Sequence, residues 1–235
     1  MSAPRRNPLV LLGAAVALAL VVVVALVVAS SGGDDGEEPA APDRAPAARD
    51  VLDGVPQDRA VLGDPRAPLT LREFADLQCP FCRDFAVQTF PRIVRDYVRT
   101  GKLRIVYHDL AFLGPDSTTA AHAAYAAGEQ DRLWSFVERF FAAQGEENSG
   151  YVTVAFVDRI FRSIEGLDVA KAKAAAARRA GREELAEATR LADRFGIDGT
   201  PAFAAGPTGG EQELLGIDSL GYETFRSELE RLAAP

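Results

Sequence analysis

The longest uninterrupted apolar stretch of the chain is LVLLGAAVALALVVVVALVVA, residues 9–29, which contains no charged or strongly polar side chain. A run of this length spans the apolar core of a bilayer as one helix. Two arginines precede the run, and four acidic residues follow it within ten positions. Because positive flanks stay in the cytoplasm, we expect a cytoplasmic N-terminus at 1–8, a transmembrane anchor at 9–30, and an extracytoplasmic remainder.

A cleaved signal peptide is the competing interpretation, because Val27, Val28 and Ala29 form an acceptable small-residue cleavage pattern. The apolar run is longer than the usual core of a signal peptide, however, and no lipid-accepting cysteine follows it. The first interpretation predicts a single-pass protein of the cell membrane. Both interpretations place the rest of the chain in a compartment where disulfides form and persist.

Residues 31–54 consist mainly of Gly, Pro, Ala and acidic residues without apolar periodicity, which predicts a flexible linker. Two strand patterns follow: LTLREF at 69–74 alternates apolar and polar side chains, and KLRIVYHDL at 102–110 is rich in branched residues. Between them the helical spacing of apolar residues predicts one helix ending at Gly101. Those residues are Phe85, Phe90, Ile93, Val94, Tyr97 and Val98. This β–α–β order favours parallel strands and a right-handed crossover.

The second half of the chain changes character. Residues 115–196 hold successive Ala-rich segments of helical periodicity separated by short breaks, which predict a helical subdomain. Two short apolar segments around a Gly-rich turn then predict a β-hairpin at 196–217, and SLGYETFRSELERLA predicts a final amphipathic helix. The predicted class is therefore α/β: one domain at 55–235 in the order βαβ, helical insertion at about 115–196, then ββα.

The composition excludes few classes of function. Hydrophobic residues make up 48% and charged residues 26% of the chain, as in globular proteins. The formal net charge of −8 argues against nucleic-acid binding, which selects for basic surfaces.

Both cysteines of the chain lie in EFADLQCPFCRDF, residues 73–85. The pair is open to four interpretations: a zinc site, a small structural disulfide, two inert buried thiols, or a redox-active dithiol. Zinc usually needs four ligands, and the only histidines, His108 and His122, have no familiar spacing to the cysteines. We therefore expect no metal site. A structural disulfide that closes so short a loop constrains the unfolded chain little.

The redox interpretation explains more of the local sequence. Pro80 suits the first turn of a helix, where a missing N–H has no cost. Cys79 then lies at the positive end of the helix dipole, which favours the reactive thiolate. Cys82 lies one turn further along and is more enclosed. We expect Cys79 to exchange with substrate and Cys82 to resolve the mixed disulfide.

Four segments together are more specific than the cysteine pair alone. They are GDPRAPLTLREFADLQCPFC, GPDSTTAAHAAYAAGEQDRLWSF, GIDGTPAFAAG and the final helix. On these segments, from about Val55 to Leu232, the chain resembles the DsbA-like branch of the thioredoxin superfamily in its membrane-tethered bacterial form. The resemblance implies a thioredoxin-like fold and thiol–disulfide exchange on exported cysteine-containing proteins. It also implies reoxidation by a quinone-linked membrane partner, and no cofactor is required.

The resemblance gives roles to three further residues. Pro201 matches the family's cis-proline beside the dithiol, which leaves the Thr200 backbone free to pair with an extended substrate; a plain turn proline is the alternative. Glu73 matches a buried acid that relays a proton to or from Cys82. The alternation of LTLREF also allows Glu73 to be an ordinary outward-facing residue.

The chain departs from the family between the cysteines, where Pro80 and Phe81 replace the histidine-containing pair of the best-known oxidases. Phe81 cannot donate a hydrogen bond to the Cys79 thiolate, but it offers an apolar surface for unfolded substrates. The predicted function is an oxidase of exported dithiols. The alternatives are a reductase or isomerase of the same fold, and a tethered binding or chaperone module whose dithiol is inactive.

Overall fold

The computed structural model describes residues 51–234. The predicted cytoplasmic N-terminus and anchor, and most of the predicted linker, lie outside these residues. In the described part of the chain, none of the helices combines the length and the apolarity needed to cross a bilayer.

A mixed sheet forms the centre of the described region. Its strands are β1 Gln57–Asp58, β2 Val61–Leu62, β3 Leu69–Ala75, β4 Leu103–Asp109, β5 Ala202–Pro207 and β6 Glu213–Leu214, in the spatial order β1-β2-β4-β3-β5-β6. Strands β3 and β4 are parallel, with Glu73 opposite Tyr107, and the remaining pairs are antiparallel. The predicted β–α–β unit and the predicted hairpin are confirmed. The short β1–β2 hairpin was not predicted, because strands of two residues carry too little alternation to detect.

The helices follow the predicted order with one difference. They are α1 Pro80–Gln88, α2 Phe90–Ile93, α3 Pro115–Gly128, α4 Leu133–Ala142, α5 Val154–Ser163, α6 Val169–Ala177, α7 Arg182–Phe195 and α8 Tyr222–Ala233, with a π-helical turn at Val94–Val98. The prediction of one continuous helix up to Gly101 was wrong. Pro91 cannot donate to the preceding turn and its ring clashes there, so α1 ends before Thr89 and α2 begins after it.

The sheet is covered on both faces by different sets of helices. Odd-numbered residues of β3, β4 and β5 belong to the main core together with residues of α1, α2 and α8. Even-numbered residues such as Phe74 and Ala204 form a smaller cluster with Ala188, Leu191 and Ala192 of α7. The last helix of the predicted insertion therefore acts as the cover of the second sheet face.

The remaining insertion helices pack beside the first face of the sheet. Trp134 of α4 stacks on Phe90 with ring centroids 5.2 Å apart, and its Nε1 donates to the carbonyl of Ala60 over 3.0 Å. Phe136 and Phe161 connect α4 to α5 at 5.4 Å. Apolar burial of this extent makes the insertion part of one core with the sheet.

Candidate active site

The two cysteines lie where the turn after β3 enters α1. Cys79 is the N-cap residue of α1, with extended backbone (φ −66°, ψ 121°), and Pro80 occupies the first helical turn. The Sγ atom of Cys79 accepts a hydrogen bond from the backbone N–H of Cys82 at 3.4 Å. The first N–H groups of a helix lack partners within the helix, so a sulfur at this position satisfies one of them. The predicted placement of the sulfur at the positive end of the helix is confirmed.

Hydrogen bonds at the Cys79 sulfur favour its ionised form. They lower the pKa of the Cys79 thiol from about 9.0 to about 6, and the largest contribution comes from the thiol of Cys82. The Thr200 side chain and the backbone N–H groups of Cys82 and Phe81 contribute further, while desolvation opposes them. A thiol with a pKa of about 6 is mostly thiolate at neutral pH, and the thiolate is the nucleophile in disulfide exchange.

Cys82 has the opposite electrostatic environment. Cys82 is fully buried. Burial raises the pKa of its thiol well above the ordinary range, and the negative charge of Cys79 makes a smaller contribution in the same direction. Both cysteines are free thiols in the structure. One sulfur therefore ionises readily and its neighbour keeps its proton, although the assignment of attacking and resolving roles stays a prediction.

The sulfur of Cys79 is largely enclosed in this structure. The residue is 4% exposed, because the Thr200 carbonyl accepts from its Sγ at 3.3 Å on one side and the first turn of α1 covers the other. Phe81 is an exposed large apolar side chain at this end of the helix, with 62% of the residue exposed. An apolar side chain thus stands beside the sulfur, while the supporting roles of Pro80 and Phe81 stay predictions.

Thr200 and Pro201 lie next to the dithiol, as the resemblance implies. The Thr200–Pro201 peptide bond is cis, and the Thr200 carbonyl contacts the Cys79 sulfur. Cys79 and Thr200 are 121 positions apart along the chain, so their contact depends on the pairing of β5 with β3. Their role in holding substrate stays a prediction.

Glu73 is buried, and the outward-facing alternative is wrong. The residue is 2% exposed. It shares the sheet face of Leu71 and Ala75, which belongs to the main core. Since α7 covers the opposite face, β3 is buried on both sides. Burial raises the pKa of its carboxyl to about 8. Within the described residues its Oε2 atom has no hydrogen-bond partner. A carboxyl in this state can carry a proton at neutral pH, which suits the predicted relay.

Asp76 is a site residue that the sequence interpretation missed. Its Oδ1 accepts from the Gln78 N–H at 2.8 Å and from the Ser117 hydroxyl at 2.7 Å. Its Oδ2 accepts from the backbone N–H groups of Phe112 and Leu113, both at 3.0 Å. The carboxylate thereby ties the turn before Cys79 to the loop after β4. An aspartate directly after a strand, at the first position of a turn, was the available signal.

The helical insertion also supports the turn that carries Cys79. The Gln144 side-chain amide donates to the carbonyls of Leu77 at 2.8 Å and Cys79 at 3.1 Å. The Asn148 N–H donates to the Gln78 side chain at 2.8 Å. Periodicity could not reveal these contacts, since they join residues about 65–70 positions apart.

The histidines have structural partners. His108 Nε2 lies 2.8 Å from the Arg72 guanidinium, and His122 Nδ1 lies 2.8 Å from the Ala180 carbonyl. Between residues 51 and 234, no three His, Cys, Asp or Glu side chains converge as metal ligands.

A sulfur at a helix N-terminus beside a cis-proline invites comparison with known proteins. A family model described as thioredoxin matches residues 56–214. The chain belongs to this thioredoxin family. The predicted resemblance to the thioredoxin superfamily is confirmed, and so is the helical insertion of the thioredoxin-like fold; the membrane tether stays a prediction.

Some curated relatives of this thioredoxin-family protein are named for disulfide bond formation. It is 26% identical to the probable disulfide bond formation protein D of Bacillus anthracis, with 60% of this chain and 66% of that protein covered. It is 30% identical to disulfide bond formation protein D of Bacillus subtilis, with 48% and 53% covered. The aligned part is thus less than two thirds of the length of both relatives.

The crystal structure of oxidised BdbD from Bacillus subtilis is similar in fold. The TM-score is 0.64 at 23% identity, and the superposition covers 76% of this thioredoxin-family chain and 95% of that one. At this level of identity the likeness concerns the fold alone.

Proposed function

We propose that the chain is a thiol–disulfide oxidoreductase that oxidises dithiols of exported proteins, with Cys79 as the exchanging sulfur and Cys82 as the resolving sulfur. The observation that carries the proposal is the unequal pair of thiols. Cys79 caps α1 with a pKa lowered to about 6, and Cys82 is fully buried with a raised pKa. Such an asymmetry is what a dithiol needs if one sulfur is to meet the substrate and the other to close the disulfide.

The exchange proceeds in two balanced steps. A substrate thiolate attacks Sγ of Cys79 in the enzyme disulfide; the Cys79–Cys82 bond breaks, and its electron pair leaves on Cys82, which takes up a proton. A second substrate thiolate then attacks the substrate sulfur of the mixed disulfide, and Cys79 leaves as a thiolate. Two electrons pass from substrate to enzyme, and the substrate gains one disulfide.

The neighbouring residues have supporting roles in this proposal. Glu73, which lies on the Cys82 side of the sheet with a pKa of about 8, supplies or accepts the Cys82 proton through water. The Thr200 backbone pairs with an extended substrate segment, and exposed Phe81 contacts its apolar side chains.

The lowered pKa of Cys79 favours the oxidising direction. At pH 7 a thiol whose pKa lies one unit lower is stabilised as a thiolate by about 1.4 kcal/mol, or roughly 30 mV for a two-electron couple. Stabilising the reduced form makes the disulfide form a better oxidant. Phe81 adds no hydrogen bond from its side chain, so we expect an intermediate potential for the pair.

The test is the pH dependence of Cys79 alkylation in the reduced protein. We expect the rate to follow a single ionisation near pH 6 in the wild type. Cys82→Ala should raise this midpoint, because it removes the largest stabilising hydrogen bond, and Cys79→Ser should abolish the fast reaction. A wild-type midpoint near pH 9, or exchange that survives Cys79→Ser unchanged, contradicts the proposal and favours an inactive dithiol on a binding module.

Equilibration with a glutathione buffer tests the direction of electron flow. A potential well above about −200 mV supports the oxidase, whereas a value near the roughly −270 mV of thioredoxin supports a reductase or isomerase.

We also propose that residues 9–30 anchor the protein in the cell membrane with the catalytic domain outside, and that a quinone-linked membrane protein reoxidises it. The support is the uncharged run at 9–29 and its positive N-terminal flank. Carbonate extraction of membranes from the native host tests the anchor. Release of the full-length chain into the soluble fraction would contradict it.

A further inference from the structure

The sheet face opposite the dithiol carries a concentration of positive charge. A cavity of about 320 Å³ opens there between α7 and the turn that joins β5 to β6. Three arginines line it: Arg72 from β3, Arg104 from β4 and Arg194 from α7. The formal charge of the whole chain is −8, so a cluster of this sign needs an explanation.

Arg72 is half-buried and held only by neutral groups. Its Nε donates to the side-chain oxygen of Gln212 at 2.5 Å, and its NH1 donates to Nε2 of His108 at 2.8 Å. His108 is uncharged, because burial lowers the pKa of its imidazole to about 3. Two neutral acceptors thus fix the direction of the guanidinium group without neutralising it.

The other two arginines are hardly better compensated. Arg104 donates to the hydroxyl of Thr70 at 2.9 Å and to the carbonyl of Pro65 at 3.3 Å, which are both neutral. Arg194 approaches one carboxylate, Glu187, at 3.9 Å.

Glu187 is shared with a fourth arginine. It binds Arg190 at 2.8 Å, so it offers Arg194 only part of its charge. In the described part of the chain, this shared carboxylate forms an ion pair with Arg194, and Arg72 and Arg104 form none. Burial lowers the pKa of the Arg72 guanidinium, and the positive charges of Arg104 and Arg194 lower it further, while the negative charge of Glu187 raises it.

We propose that this cavity binds a small anion of the phosphate class, with Arg72, Arg104 and Arg194 as its donors. Guanidinium groups match the oxygens of phosphate with paired hydrogen bonds. The volume is at the lower end of the range for small-ligand sites, about 300–1,000 Å³. Leu191 and Phe195 form an apolar wall of the cavity, so it accommodates a phosphate monoester with a short organic group better than a bare ion.

The chemistry fits two sources, a soluble phosphate monoester and the headgroup of an anionic lipid. Calorimetric titration of the full-length chain in a non-ionic detergent, at constant ionic strength, tests the site. The titrants are inorganic phosphate, glycerol 3-phosphate and dihexanoyl phosphatidate. Tighter binding of the phosphatidate assigns the lipid headgroup as the source, and equal or tighter binding of glycerol 3-phosphate assigns the soluble ester.

The variants Arg104→Gln and Arg194→Gln should each weaken binding of every titrant at least tenfold. Arg226→Gln is the matched control, since it removes the same charge from an exposed ion pair on α8. It should leave the affinity within twofold. Arg194 is exposed, so its substitution tests the site even if the Arg104 variant fails to fold.

No saturable binding to the wild type, or an equal loss of affinity in Arg226→Gln and Arg194→Gln, would overturn the site. The result is independent of the dithiol, because the titration measures no exchange chemistry.

Discussion

Arg72 and Glu73 are adjacent on the central strand, yet the two sheet faces treat their charges in opposite ways. Glu73 enters the face covered by α1 and α8, where burial without a partner raises the pKa of its carboxyl to about 8. Arg72 enters the face covered by α7, where an open cavity and two neutral acceptors allow it to stay charged. The comparison teaches that a carboxyl buried without a partner loses its charge, whereas a guanidinium keeps its charge and needs acceptors and access to water around it.

The difference has a chemical counterpart. The first face carries the dithiol, and we propose that its uncharged acid, Glu73, exchanges a proton with Cys82. The second face has no thiol in its cluster, and its retained positive charges suit ligand binding. One sheet thus separates proposed redox chemistry from proposed anion binding.

Matched leucine substitutions should show that the first face is more tightly packed. Leu229→Ala on α8 removes a fully buried side chain from the main core, and we expect a loss of about 4 kcal/mol. Leu191→Ala on α7 should cost about 2 kcal/mol, because Leu191 already borders the cavity. Urea unfolding at pH 7 measures both. Equal losses would mean that α7 packs as closely as α8.

Glu73→Gln should make the protein more stable than the wild type, by an amount that grows as pH rises. The native carboxyl keeps its proton up to about pH 8 while the unfolded one loses it near 4.5, so the wild type loses stability across this window. The variant should exceed the wild type by about 3 kcal/mol at pH 7 and match it at pH 4. Urea unfolding across this range measures the difference. Exposed Glu165→Gln is the control, and an identical pH slope in both variants would contradict the protonated state of Glu73.

His108 should give a pH slope of the opposite sign on the second face. Its native pKa of about 3 lies below the unfolded value of 6.5, so stability is lost as pH falls from 6.5 towards 3. His108→Gln should remove about 2 kcal/mol of this loss at pH 5. Thermal unfolding between pH 7 and 5 measures the slope, and Thr189→Ala on exposed α7 surface is the control. An unchanged slope in His108→Gln would show that the ring takes up its proton in the folded state.

The alternation of LTLREF shows how far the sequence could be interpreted. The alternation of apolar and polar residues identified the strand, but it could not predict that α7 would cover the second face. Whether Glu73 is buried or exposed therefore depended on the packing of the helices. The same limit applies to Asp76, whose four partners include Phe112, Leu113 and Ser117 from beyond β4. Pro91 is a sequence signal for the helix break at Thr89. We nevertheless predicted one continuous helix, because the apolar residues on both sides of the break keep helical spacing.

The sequence by itself determined the order of the longer strands and helices, apart from the break at Thr89, and the position of Cys79 at the start of α1. Those properties depend on local periodicity, on Pro80 and on the spacing between Cys79 and Cys82. Only the tertiary structure decided that Thr200 meets Cys79, that Glu73 loses its solvent and that three arginines share one cavity. Each of these depends on segments far apart in the chain, and the electric field at a side chain is the sum over everything that packs around it.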